Sequence, residues 1–350
     1  MKNSVRTVKA PFGDIEIFRL ENDKGCWVEL SSLGAGVLGV GVADAEGRIE
    51  NVALGYASPA DYMSDGPGMG KCPGRYANRI AFGRFSVGGK EYQLDTNLPP
   101  HHLHGGNTGF HNRLWKAHKL NDGVEFSYRS ADGEENYPGN LDVAVTYRWT
   151  DDCKLSLEIK ALTDAATVVN ITNHCYWNLD GCDSGSVLGH EMRLKSSRWL
   201  ETDKTLIPTG RLADVAGTPM DFLDFKELGR DIKADFEALH IGKGYDHCWA
   251  VDGWEPGRMS EEAVVIRSRR SGRKLVIDSD QSGFQVYTGN WLAGCPFNRS
   301  GRSYEDYDGV AVEMQGFPDA PNHPEFPNQE LHPGEEYRRT IVFKFGLCGE

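Results

Sequence analysis

The chain has 350 residues, of which 39% are hydrophobic and 25% charged, and a formal net charge of −13. A chain of this size can bury a large core, and its acidity argues against nucleic acid or an anionic membrane as the main partner. No stretch approaches the roughly 18 apolar residues of a membrane span, and the opening MKNSVRTVKAPFGDIEIF lacks a signal-peptide core, so the expected location is the cytoplasm. The eight cysteines are scattered without a C-x-x-C pair, which fits free thiols better than disulfides or a zinc cluster. The sequons at Asn170 and Asn298 then carry no weight, because nothing delivers them to a glycosylating compartment.

In chain order, SPADYM near residue 60 is a candidate short helix. GRYANRIAFGRF sets Asn78 and Arg79 just before RFSVGGKEYQL, a hairpin turning at Gly88-Gly89. HHLHGG clusters His101, His102 and His104. Such a cluster can bind a metal, but no H-E-x-x-H or neighbouring carboxylate accompanies it, which favours His104 alone as a hydrogen-bonding group beside a glycine bend. In DVAVTYRWTDDCKLSLEIKALT the apolar residues Val143, Val145 and Tyr147, then Leu155, Leu157 and Ile159, alternate on either side of an Asp151-Asp152 turn.

VVNITNHCYWNL reads as a strand with Val169, Ile171, Cys175, Trp177 and Leu179 on one face and Asn170, Thr172, His174, Tyr176 and Asn178 on the other. FLDFKELGRDI near residue 225 is the second candidate helix. GYDHCWA offers Asp246 and His247 after a glycine turn, where an aspartate is often only a turn residue. VVIRSRRSGRKLVIDS is a hairpin turning near Ser271-Gly272, and SGFQVYTGN aligns Gln285 with Tyr287. In GVAVEMQ, Glu313 lies opposite Val310, Val312 and Met314. A glutamate in so apolar a strand is poorly explained by solubility, and in a desolvated cleft its pKa would rise, making it a better proton acceptor near neutral pH. Together these runs predict an all-β chain, a large antiparallel β-sandwich formed as one domain over residues 1–350, with two β domains as the alternative.

No G-x-S-x-G, P-loop or dinucleotide-binding glycine motif is present. The remaining polar set of a carboxylate, histidines, an arginine, an aspartate and amides suits a neutral polyhydroxylated ligand. A sugar is the natural candidate.

On GRYANRIAFGRF, LHGG, NITNHCYWNL, GYDHCWA, QVYTGN and EMQGFPDAPNHPEFPNQELHPGEEY, spanning residues 75 to 337, the chain resembles the aldose 1-epimerase (galactose mutarotase) family. The resemblance implies a mutarotase-type β-sandwich and interconversion of the anomers of a free monosaccharide. It further implies Glu313 as general base on the anomeric hydroxyl, His174 as general acid on the ring oxygen, and His104 beside the reacting end. Asn78, Arg79, Asp246 and Gln285 would hold sugar hydroxyls, and neither metal nor cofactor is required. Ring opening takes a proton from O1 and delivers one to O5, so an ionised Glu313 and a protonated His174 are expected on opposite sides of the C1–O5 bond. A silent sugar-binding module, a glycosidase using Glu313 with Asp246, and an epimerase of phosphorylated hexoses are the rival readings. The preferred aldose and the oligomeric state are not readable from the sequence.

Overall fold

The computed structural model describes residues 1–63 and 65–349. Its strands are paired antiparallel, and the two largest sheets have nine and six strands. The nine-stranded sheet is built around Leu141–Trp149, Lys154–Thr163, Tyr337–Leu347 and Arg273–Ser279, which lie side by side. The alternation read in the sequence is what builds it: Val143, Val145 and Tyr147 are buried, and so are Leu155, Leu157 and Ile159 on the neighbouring strand. These meet Trp249, Phe284, Val286, Val310, Val312 and Met314 of the six-stranded sheet in one continuous core, which makes the two sheets the layers of a sandwich.

Both glycine hairpins form, Arg84–Val87 with Lys90–Gln93 and Ser260–Arg267 with Arg273–Ser279. At the first, Gly88 and Gly89 take φ of 58° and 76°, the left-handed pair that a two-residue turn demands. SPADYM yields a 3-10 helix over Pro59–Tyr62, capped by the Ser58 side chain. All eight cysteines are free. Asn170 and Asn298 are fully buried, which closes both sequons to modification.

Two local expectations fail. FLDFKELGRDI is not helical; only Lys226–Glu227 is regular, and it pairs with Glu191–Met192. The backbone here bonds to residues 188–194 instead, through Leu194 N to Phe222 O and Leu228 N to His190 O. An isolated helix of that length is marginal, so tertiary pairing wins. The α-helix lies further on, at Glu237–Gly242.

VVNITNHCYWNL is the second failure. It is regular only at Thr167–Val168 and Tyr176–Trp177, and the whole stretch from Val168 to Leu179 is buried on both sides. Its amides replace sheet partners: Asn170 accepts from Gly316 N and donates to Ala77 O, while Asn173 donates to Gly70 O. The expected row of hydrogen-bonding side chains is therefore mostly internal bracing.

Candidate active site

The six-stranded sheet presents one face to a cleft of about 410 Å³. Its register sets the floor. Tyr176 faces Ala311, Ala311 faces Tyr287, and Tyr287 faces Asp246 across successive strands. Two residues along, and hence on the same face, Glu313 faces Gln285. His174 precedes Tyr176 by the same step, and the two rings stand 5.0 Å apart.

Glu313 is only 2% exposed, yet its Oε1 lies 3.3 Å from Nε2 of His174. Burial drives its pKa well above the ordinary carboxylate range; the charge of Asp246 adds to the rise and Arg79 opposes it. Burial lowers His174 to about 4, with Lys71 contributing the same way and Asp246 resisting. Burial thus presses the pair toward a neutral carboxyl beside a neutral imidazole and away from a carboxylate beside an imidazolium. The two arrangements hold the same number of protons and differ by moving one proton across the pair. The two groups are side by side, which suits O1 and O5, both bonded to the one carbon C1.

His104 closes this end of the cleft, its ring 5.3 Å from that of His174 and nearly perpendicular to it. Its Nδ1 accepts the backbone N–H of Asn78 at 3.1 Å, so in the neutral ring Nε2 carries the proton. Burial and the neighbouring His174 keep its pKa well below the usual histidine value. A ligand atom from each of His104, His174 and Glu313 lies within 4.8 Å of the others. The surroundings have the wrong polarity for a resident metal, however, because metal-bound imidazoles donate from their second nitrogen whereas His104 accepts there. His101 and His102 are spent elsewhere: His101 accepts from Phe82 N and meets Thr205, and His102 bridges Asp95 O and Tyr137 OH.

The other end of the cleft is a charge clamp. Arg79 Nη2 lies 3.5 Å from Asp246 Oδ2, and Gln285 Nε2 donates to Asp246 Oδ1 at 2.7 Å. Asn78, at φ 65°, turns the chain and accepts Arg79 N on its Oδ1. The long PDAPN segment braces this corner, since Asp319 N donates to Arg79 O and Asp319 Oδ1 accepts Ala81 N. Glu313 Oε2, His174 Nδ1, Arg79 Nε and Gln285 Oε1 are buried without a protein hydrogen-bond partner. Four such atoms among the residues around one cleft are a demand for a hydrogen-bonding ligand.

Sequence-predicted residues Asn78, Arg79, His104, His174, Asp246, Gln285 and Glu313 thus converge, whereas Asn170, Thr172 and Asn178 do not reach the cleft. Thr172 donates to Met314 O, and Asn178 to Gly185 O and Asp308 O. Missed altogether was Lys71, fully buried against Asp65 and Asn112, whose carbonyl accepts the N–H of His174. Nothing local in PGMGKCPG marks it. Trp291 was missed too; it rims the cleft 64% exposed, with the Lys243 ammonium 4.3 Å from its ring centre.

Residues 16–344 match the profile of the family described as Aldose 1-epimerase. The chain belongs to the aldose 1-epimerase family. It is 41% identical over 336 residues to galactose mutarotase of Homo sapiens, covering 96% of this chain and 95% of that protein. It is 36% identical over 340 residues to aldose 1-epimerase of Escherichia coli, covering 96% and 97%. Among solved structures, an aldose epimerase homologue from C. elegans superposes with a TM-score of 0.87 at 28% identity, covering 99% of this chain and all of that one. A galactose 1-epimerase from Lactobacillus acidophilus gives 0.85 at 26%, covering 99% of each. The aldose 1-epimerase fold thus accounts for both sheets.

Proposed function

We propose that the protein interconverts the α and β anomers of a free aldose, with Glu313 as the base at O1, His174 as the acid at O5, and His104 donating a hydrogen bond beside them. The chain acts as one mutarotase-like unit. A proton passes from O1 to the carboxylate as the imidazole protonates O5, C1–O5 opens, and the aldehyde turns about C1–C2 before closing on its other face. The pair ends with its proton moved, and closure returns it. Each positioned proton transfer contributes about 10²–10⁴-fold. Arg79, Asp246, Gln285 and Asn78 hold the remaining hydroxyls, while the rings of Tyr176 and Tyr287 cover C–H surface.

The observation that carries this reading is the buried Glu313–His174 contact of 3.3 Å beneath a clamp of hydroxyl-binding groups. A silent sugar binder has no use for such a pair. A glycosidase would free Asp246 for chemistry, whereas here Arg79 and Gln285 engage both of its oxygens. Arg79 is also the one Lys or Arg among the described cleft-lining residues, which favours a neutral sugar over a hexose phosphate. No helix among the described residues is long and apolar enough to cross a membrane, and we place the enzyme in the cytoplasm. Polarimetry on freshly dissolved α-D-galactose and α-D-glucose tests the reading. Catalysed decay to the equilibrium rotation is expected, and a rate equal to the spontaneous one for every aldose refutes it.

A further inference from the structure

His104 stands on a turn that has little regular structure to hold it. Its own φ is 50°, and Gly105 and Gly106 follow at 85° and 100°, so three successive residues occupy the left-handed half of backbone space. A non-glycine residue persists there only where its surroundings over-determine it. On the inner side they do. His104 N donates to Asn78 O at 3.0 Å, and a side chain on Gly105 would lie 1.8 Å from Gly74 O, so the backbone is pressed against the Gly74–Arg75 peptide. On the outer side, Asn112 Nδ2 donates to Asn107 O at 3.3 Å and Arg113 Nη2 to Thr108 Oγ1 at 3.1 Å, and one side chain takes up the backbone N–H groups. Glu135 accepts Thr108 N at 2.6 Å on Oε1 and Asn107 N at 3.2 Å on Oε2, and it also accepts the Thr108 hydroxyl. Two successive backbone N–H groups aimed at one carboxylate form an anion nest. The carboxylate sits so close over Gly106 that a Cβ there would lie 2.1 Å from Oε2.

Glu135 is held in turn. It and Asn136 take φ of 48° and 68°, in a turn anchored by Asn136 Nδ2 to Asp95 Oδ1 at 3.0 Å and by Tyr128 OH to Glu134 at 2.7 Å. Solubility does not require two adjacent left-handed non-glycine residues; a carboxylate that must reach a fixed point does.

We propose that Glu135 is a positioning residue for His104, its carboxylate clamping residues 106–108 so that His104 keeps its neutral Nε2–H aimed at the reacting end of the cleft. The proposal rests on the functional reading above. The hydrogen bonds of Glu135 go to Asn107 and Thr108 and those of the clamp run among Arg79, Asp246 and Gln285, so loss of the latch should act on the chemical step and leave sugar binding nearly intact.

The test compares full-length wild type, Glu135→Ala and Glu135→Gln in three measurements: kcat and KM by polarimetry on α-D-galactose, melting temperature, and the ¹H–¹⁵N imidazole signals of His104, assigned by their disappearance in His104→Asn. Displacement of a catalytic group by about 1 Å can cost about 10²-fold, so Glu135→Ala should lose kcat on that order with KM little changed. Its His104 signals should move toward those of a solvated imidazole. Glu135→Gln, which keeps one acceptor oxygen, should recover part of kcat and part of the shift. Wild-type kcat in Glu135→Ala, or unmoved His104 signals in either variant, overturns the proposal. If Glu135→Ala fails to fold, Glu135→Gln alone decides, by a reduced kcat and displaced His104 signals at a wild-type melting temperature. The imidazole signals need no turnover, so they judge the latch even if wild type acts on no aldose and the functional reading falls.

Discussion

The two ends of the cleft solve opposite problems with similar residues. At one end Glu313 and His174 are buried and face each other, so burial pushes each toward its neutral form. At the clamp end, Asp246 keeps an arginine and an amide donor on its two oxygens. One carboxyl group is tuned by desolvation, as the proposed proton exchange needs; the other is fixed by pairing, as the proposed binding role needs. The difference teaches that the role of a carboxylate here follows from what surrounds it and not from residue type.

The largest expected effect is at the tuned end. Glu313→Gln should lower kcat by about 10²–10⁴-fold while the fold survives. Its stability should change in a set direction as well. Because the folded-state pKa of Glu313 is raised, its contribution to stability is fully present below the unfolded value near 4.5 and is lost as pH rises. The variant should therefore melt higher than wild type at pH 8, by a margin that shrinks toward pH 5. A lower melting point at pH 8 would mean the carboxylate is stabilised in place, and the contrast between the two ends would collapse.

His174→Asn should cost a comparable factor in kcat, with the opposite pH signature. His174 falls from 6.5 to about 4, so its contribution is present above pH 6.5 and lost as pH drops toward 4. His190 and His247 are also lowered to about 4 by burial and add to the same acid lability. The wild-type melting temperature should fall between pH 6.5 and 4, and more gently in the variant. Equal slopes would remove His174 from the account.

Arg79→Ala sharpens the comparison from the clamp side. A hydrogen bond to a charged group is worth about 1.5–3 kcal/mol, so KM should rise about 10- to 100-fold with a smaller loss in kcat. A variant losing kcat alone would show that the two ends are not separate devices. Trp291→Ala, at the exposed rim, should raise KM only a few-fold, since an aromatic contact adds about 0.5–1.5 kcal/mol.

Much of this was legible in the chain. The period-two runs at Val143–Tyr147 and Leu155–Ile159 and the glycine hairpins announced a sandwich, because side-chain alternation and left-handed turns are local requirements. Glu313 stood out for the same reason, as a charge where the pattern calls for polarity without exposure. FLDFKELGRDI and VVNITNHCYWNL were misread because distant partners, Leu194 and His190 for one and Gly70, Ala77 and Gly316 for the other, supply hydrogen bonds that no local pattern encodes.

By itself the sequence determined the sheets, their inner faces and the residue types available to a sugar. Only the tertiary structure decided that Asn170 and Asn178 brace while His174 lines the cleft beside Glu313, that Lys71 lies behind that histidine, and that Glu135 reaches the turn carrying His104. Alternation is a property of neighbouring residues. Which polar group is left without a partner at the end of folding depends on every segment packed around it.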